Sequence, residues 1–249
     1  MARDFDGVGD RIGYTLVTGQ HSIDTITYAC WIFMDSNAEY KRPFHLGTAF
    51  PNQHAEIEFD DALNGFVFYA GWTTAAGAWY IAKPATGAWT HLAITYNWGA
   101  TTNDPVIYIN GVSQSITEDT APSGTKVNTS TTFAIGGVSG DSAGDWDGRI
   151  AEFAFWNRVL TAAEISSLGA DAFSPLFYPR GLVFYTPLIG RSSTESDLMK
   201  GIAGTVTGAL AAAHPRIIYP SSAQIRRFGA AAAPEAAAFL SRLNLLGVG

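Results

Sequence analysis

Between residues 12 and 160 the chain alternates short apolar runs with turn-forming residues, and the runs repeat with a period of two. The clearest is Ile26-Thr-Tyr-Ala-Cys-Trp-Ile-Phe-Met34, with Tyr28, Cys30, Ile32 and Met34 on one face and Ala29, Trp31 and Phe33 on the other. Apolar residues on both faces predict a central strand covered from both sides. Further strands are predicted over 44–49, 55–60, 65–72, 78–82, 89–97, 105–110, 132–137 and 149–157. Gly, Asn or Pro between strands at this regular spacing is the signature of an all-β sandwich. Asn110-Gly111 suits a tight hairpin, because both residues tolerate positive φ. Thr161-Ala-Ala-Glu164 is a capping box that opens a helix of one or two turns, with Gly169 as its stop. Many strands and one short capped helix predict an all-β, two-sheet antiparallel jelly roll.

These stretches resemble a known family. Trp89-Thr-His91-Leu-Ala-Ile-Thr-Tyr96, then Val106-Ile-Tyr-Ile-Asn110-Gly111-Val112, is similar to the core of concanavalin A-like, laminin G-type jelly rolls. Ala134-Ile-Gly136-Gly137, then Gly148-Arg-Ile150-Ala-Glu152-Phe-Ala-Phe-Trp156 and Thr161 through Ile165, resembles the family's closing hairpin and helix. One piece is out of place. The family opens with a strand resembling G-L-V-x-Y-W-P-L, but here the chain starts at Phe5-Asp6-Gly7-Val8-Gly9-Asp10 and that strand comes late, as Gly181-Leu-Val-Phe-Tyr185-Thr-Pro187-Leu188. Either the fold is circularly permuted, with 181–208 returning beside 2–12, or 181–208 is donated to a neighbouring copy. The short, Pro-bearing connector 168–180 favours pairing within the chain. The expected organisation is a jelly roll over 1–213 and a separate extension over 214–249.

Composition narrows the function. Charged residues are 15% of the chain, against an average of ~25%, and aromatic residues 13%, which excludes intrinsic disorder. A net charge of −7 argues against nucleic acid as a partner. The charge is uneven: four arginines and one acid in 214–249 give +3, leaving −10 for the rest. The extension begins with the Pro-bearing stretch 214–220 and continues into the Ala-rich 230–246, where Phe239, Leu243 and Leu246 fall at i, i+4 and i+7. Arg216, Arg226, Arg227, Phe239, Leu243 and Leu246 are therefore expected to dock on other proteins or on further copies of the chain. No run approaches the ~20 apolar residues of a membrane span, and the start lacks the apolar core of a secretion signal. The single cysteine, Cys30, excludes an internal disulfide and a multi-cysteine zinc cage.

Candidate chemistry is sparse. Glu56-Ile-Glu58-Phe-Asp60 puts three acids on one strand face, and the resemblance to concanavalin A-like glucanases implies a carboxylate pair on such a strand. The order Glu-x-Glu-x-Asp departs from the family's E-I-D-x-E, however. The expectation is an exposed face of an outer strand whose acids prevent edge pairing, without catalysis. Asp141, Asp145 and Asp147 supply the oxygen donors Ca²⁺ takes, and calcium binds some laminin G-type domains. Their loop lacks a dedicated calcium pattern, so no resident cofactor is expected, with Ca²⁺ the one ion that would suit. Trp72, Trp79, Trp98 and Trp146 lie at strand ends or in loops, where core or rim packing is the first expectation and sugar contact the second, whereas Trp31, Trp89 and Trp156 are expected in the core. The histidines show no zinc spacing, and His45, His54 and His214 stand alone.

The combined expectation is a non-enzymatic, laminin G-like jelly roll with a docking extension. An acidic displayed body with a basic tail and no secretion signal fits a bacteriophage virion component: a head decoration, head fibre or tail accessory protein, displayed toward host-surface glycans. Residues 214–225 are also similar to the endings of phage-encoded laminin G-like proteins. The alternatives are a bacterial glycan-binding module and a glucanase-like glycoside hydrolase.

Overall fold

A computed structural model describes residues 2–47, 53–138 and 144–221. Strands, numbered in chain order, form two antiparallel sheets. The first runs β10 (Val112–Ser113), β9 (Val106–Ile109), β8 (Trp89–Asn97), β3 (Thr25–Met34), β13 (Asp147–Trp156), β1 (Ala2–Asp6), β17 (Leu210–Ala212). β14 (Leu182–Thr186) also pairs with β13. The second runs β11 (Thr117–Thr120), β7 (Gly77–Ala82), β6 (Gly65–Ala70), β5 (Gln53–Asp60), β4 (Phe44–Gly47), β12 (Thr132–Ile135), β2 (Arg11–Thr15), β16 (Ala203–Thr207), β15 (Thr194–Ser196).

Strand β3 shows why the sheets meet as they do. Its even positions, Tyr28, Cys30, Ile32 and Met34, join the core between the sheets. From the second sheet come Phe44 and Leu46 of β4, Ile57 and Phe59 of β5, Phe66 and Phe68 of β6, and Phe133 and Ile135 of β12. Phe133, Phe153, Phe155 and Phe184 contact one another edge-to-face or stacked, which locks the sandwich centre. The odd face of β3 contributes Ala29 to a smaller core under the single helix α1 (Ala162–Gly169) and the connector after it, with Ala93, Trp156, Leu160, Ile165 and Leu168.

Helix α1 starts as expected. Thr161 is its N-cap and both capping-box bonds are present, while Arg158 clamps Glu164 at 2.7 and 2.9 Å. With Arg158 first among the causes, the Glu164 carboxyl is held down at about 2. Gly169 is the last helical residue and Ala170 the cap, one position later than expected. The Asn110-Gly111 turn has φ of 51° and 80°, the doubly positive geometry of the expected hairpin.

The late strand closes the sandwich from within the chain. β14 takes the C-terminal half of β13's free edge and β1 the N-terminal half, while β16 pairs with β2 and β17 with β1. Arg3 of β1 bonds inside the sandwich to Glu195 of β15 at 2.6 Å, both side chains being about 5% exposed or less.

The body also reaches past the expected boundary at 213. Phe173 and Ile218 form a parallel bridge, with Ser174 N donating to Ile218 O at 2.9 Å and Ile218 N to Ala172 O at 2.8 Å. Residues 214–220 therefore lie as a strap across the connector rather than starting a separate extension, and Arg216 is exposed on it. Arg226, Arg227, Phe239, Leu243 and Leu246 lie outside the described residues.

Candidate functional site

With α1, the connector and the strap over part of the first sheet, the outer face of the second sheet offers the broader surface for a ligand among the described residues. Its strand register sets a continuous row of outward positions: Tyr69, Glu56, His45, Ala134, Gly13 and Thr205, each paired with the next across β6, β5, β4, β12, β2 and β16. Neighbouring strands lie ~4.8 Å apart, so the row crosses the middle of the sheet.

One half of the row is charged and closed. Glu56 is 3% and Glu58 8% exposed, which corrects two expectations. Their strand β5 is internal to the sheet, not an outer strand, and their carboxylates are covered rather than solvated. The cover is Arg42, which spans both acids at 3.3 and 2.7 Å, and His45, whose Nδ1 lies 2.6 Å from Glu56 Oε2. Burying two like charges on one strand is made tolerable by the Arg42 guanidinium, which ion-pairs with both, and by the imidazole, which supplies a further bond to Glu56. His45 does not stand alone, as its sequence context suggests; the β4–β5 register puts it opposite Glu56. Burial, then the charges of Glu58, Asp60 and Glu56, push the Tyr69 hydroxyl up. Burial and then His45 hold the His54 imidazole down, and its Nδ1 accepts the Ser130 N–H at 2.9 Å.

The other half is open and uncharged except for one residue. Gly13 and Ala134 form the floor of a groove of about 310 Å³, lined also by Thr15, Thr132, Thr205 and Arg11. A Cβ placed on Gly13 would meet nothing within 4 Å among the described residues, which leave the space above the floor open. Hydroxyls around a flat backbone floor offer donors and acceptors to a polyhydroxylated ligand without demanding a charge.

The tryptophans are elsewhere. Trp79 and Trp146 are 0% and Trp98 2% exposed. Trp79 donates to Asp104 at 2.9 Å, Trp98 to the Gly71 carbonyl, and Trp146 stacks on Phe59. None of these three has a ring face left for a sugar, which removes them as sugar-contact candidates and leaves core packing as their role. Trp72 is half-buried, tied to Tyr96 at 3.2 Å and packed against the core. Trp156 is core as expected, but Trp31 and Trp89 stay half-buried on the outer face of the first sheet, against His91 and Phe33.

Of the aspartates expected to suit Ca²⁺, the two described ones, Asp145 and Asp147, are engaged elsewhere. Asp145 is 1% exposed and accepts the Gly9 N–H at 2.5 Å. Asp147 begins β13 opposite Asp6, and burial, then the neighbouring Asp35, raise its carboxyl. Asp141 lies outside the described residues, among which no group of three or more His, Cys, Asp or Glu side chains converges.

One cluster had no forewarning in the sequence. Glu152, 2% exposed, sits at a bulge in β13 with φ of 55°. Its carboxylate accepts from Tyr185 at 2.8 Å and Tyr219 at 2.6 Å, and His214 Nε2 lies 3.2 Å away. Two of these partners come from the strap, so the cluster fastens 214–220 to the body. Burial, then the charge of Glu152, hold both tyrosine hydroxyls well above their ordinary range.

A family model described as the concanavalin A-like lectin/glucanases superfamily matches residues 10–166. Among solved structures, the fold is similar to that of a Bacteroides ovatus protein with a proposed carbohydrate-binding role: TM-score 0.64, 20% identity, over 87% of this chain and 61% of that one. The chain thus spans about three fifths of that protein's length. It is also similar to the heptameric SAP-like pentraxin of Limulus polyphemus, with TM-score 0.57 and 14% identity over 83% of this chain and 95% of the other. At these identities the likeness is one of fold. No curated protein matches the chain.

Proposed function

This chain belongs to the concanavalin A-like lectin/glucanase superfamily, and from that premise we propose that it is a non-enzymatic glycan-binding protein whose site is the groove over Gly13. The observation that carries the reading is the open, hydroxyl-lined floor of Gly13 and Ala134 on the uncovered face of the second sheet. The proposed carbohydrate-binding role of the similar Bacteroides protein points the same way. The state of Glu56 and Glu58 supports the non-enzymatic part. A glycosidase pair needs one carboxyl to give a proton and another to reach the anomeric carbon. Here both are buried and engaged by Arg42 and His45.

A glycan array probed with the wild-type chain and Gly13→Val, in Ca²⁺ and in EDTA, tests this. Valine suits a strand and meets no neighbour there, so it fills the groove while leaving the fold intact. Binding should survive EDTA and vanish in the variant. Binding unchanged by Gly13→Val would sink the site, and turnover of β-glucans lost in Glu56→Gln would sink the non-enzymatic reading.

The setting we propose is a bacteriophage particle, with the jelly roll displayed and residues 222–249 anchored to other virion proteins. Supporting it is the charge of 222–249, where Arg226, Arg227 and Arg242 against Glu235 give +2 while the rest of the chain carries −9, so the anchoring segment is opposite in sign to the acidic body. The strap leaves the body at Ser221, beyond the Glu152 fastening. Particles made with the chain ended at Ser221 should lack the protein; unchanged incorporation would refute the anchoring role.

A further inference from the structure

The groove carries one cation that no acid in the described structure answers. Arg11 projects from the outer face of β2 at one end of the groove, half-buried, and its guanidinium contacts the Gly9 carbonyl at 3.5 Å. Every other described arginine that is not exposed meets a carboxylate: Arg3 with Glu195, Arg42 with Glu56 and Glu58, Arg149 with Asp4, Arg158 with Glu164. The adjacent Asp10 does not serve, because its carboxylate turns to the Asp6 N–H at 3.1 Å. The acid of the row, Glu56, and its neighbour Glu58 are already engaged by Arg42. Arg11 has thus lost part of its hydration without gaining a counter-charge, in a body whose net charge is strongly negative. A partner that brings its own carboxylate supplies what is missing, since its two oxygens match the guanidinium fork.

The rest of the groove constrains that partner. From Arg11 the wall runs four residues along β2 to Thr15, about 13 Å at ~3.3 Å per residue. Hydroxyls of Thr15, Thr132 and Thr205 face the space, and the floor is flat because Gly13 and Ala134 project little. The volume, about 310 Å³, lies at the lower end of the range of ~300–1,000 Å³ found for small-ligand sites. A slim, hydroxyl-rich ligand with one carboxylate at its end fits; a bulky aromatic or a multiply charged polymer face does not.

We propose that the groove recognises a uronic acid unit of a glycan, with Arg11 holding the sugar carboxylate and the threonine hydroxyls contacting the ring. This rests on the reading of the groove as the glycan site and adds the class of sugar. The residue pattern also separates it from ring-stacking sugar sites, because the groove's two aromatic lining residues, Tyr14 and Phe133, belong to the core beneath the floor.

The test is calorimetric titration of the full chain with oligomers of galacturonate, glucuronate, mannuronate and guluronate. Their methyl esters and sulfated neutral oligomers serve as comparisons. At least one free uronate should bind, and its methyl ester at least tenfold more weakly. Arg11→Gln should bring the acid down to the ester's affinity without moving the ester. Arg11→Lys, which keeps the charge but not the fork, should fall between. Melting temperatures of both variants should match wild type, because Arg11 makes no ion pair to lose. Equal affinity for acid and ester, tighter binding of sulfated oligomers, or no uronate binding at all overturns the proposal. If neutral or esterified glycans still bind and Gly13→Val abolishes that binding, the glycan site stands and only the uronate assignment fails. If Gly13→Val changes nothing, both fail.

Discussion

Replacing Arg3 with Met should destabilise the protein more than any exposed substitution. Arg3 crosses the sandwich interior from β1 to the late hairpin, donating to Glu195 at 2.6 Å, to the Ala209 carbonyl at 2.9 Å and to the Ser192 carbonyl. The two side chains are 5% and 3% exposed. Arg3→Met leaves Glu195 buried with the Gly190 N–H still donating to it and deprives two carbonyls of the Arg3 donors. Removing one partner of such a pair destabilises by about 3–5 kcal/mol, whereas replacing both with apolar residues is often near neutral. Arg3→Met with Glu195→Met should therefore fall short of the sum of the singles by about 2 kcal/mol. Urea unfolding followed by fluorescence measures this, with the denaturant slope unchanged if the unfolded surface is the same. Run at two protein concentrations tenfold apart, the midpoint should not move, since β14, β16 and β17 pair within their own chain. A loss under about 1 kcal/mol for Arg3→Met, strict additivity in the double variant, or a midpoint that rises with concentration would refute the reasoning.

Two further outcomes follow from groups far from the groove. His91 is buried without compensation, and burial holds its imidazole down at about 3. The unfolded chain takes up a proton near the ordinary pKa of 6.5 that the folded chain refuses until about 3. This contribution is complete above pH 6.5 and is lost as pH falls toward 3, with a slope of at most ~1.4 kcal/mol per pH unit. His91→Gln should flatten that part of the acid limb in a stability-versus-pH series; an unchanged slope would show that His91 does not control it. Gly111→Ala places a Cβ 2.8 Å from Ser166 Cα at a φ of 80°, and should destabilise by ~2 kcal/mol or more. Gly87→Ala has the same φ and no neighbour within 4 Å, so it should lose only the backbone part in thermal unfolding. Equal losses would mean that the hairpin does not press on α1.

Local patterns carried the fold. The two-faced burial of β3, the Asn110-Gly111 turn and the Thr161/Glu164 box depend on residues within a few positions of one another, so their spacing is enough to read them. The late strand was legible because Gly181 to Leu188 resembles an opening strand wherever it stands. The site was not legible in the same way. His45 meets Glu56 only through the β4–β5 register, and Arg42 reaches both glutamates from the turn before β4. An alternating strand pattern shows which residues share a face but not what lies across from them. That register, once drawn as an antiparallel hairpin, was the available signal. The tryptophans stayed ambiguous for a related reason: Trp79, Trp98 and Trp146 sit at strand ends or in loops in the sequence, where a ring can face either a ligand or the core, and the ends of this sandwich are themselves packed. Glu152 looked like one family-motif residue among many. Its burial depends on Tyr219 and His214, more than sixty residues later in the chain.

The pairing of Ala2 with Ala212 has a consequence for biosynthesis. β1 is made first but finds β17 only when the last strand of the body has emerged, and β2 likewise waits for β16. At ~5–20 residues per second, translation of the intervening chain leaves these early strands with bare hydrogen-bonding edges for on the order of ten seconds or more. During that interval the nascent chain is a template for strand pairing with its neighbours on the same message. A ribosome-bound fragment ending before β14 should therefore depend on chaperones for its recovery, and the release of the final hairpin should be the step at which that dependence ends.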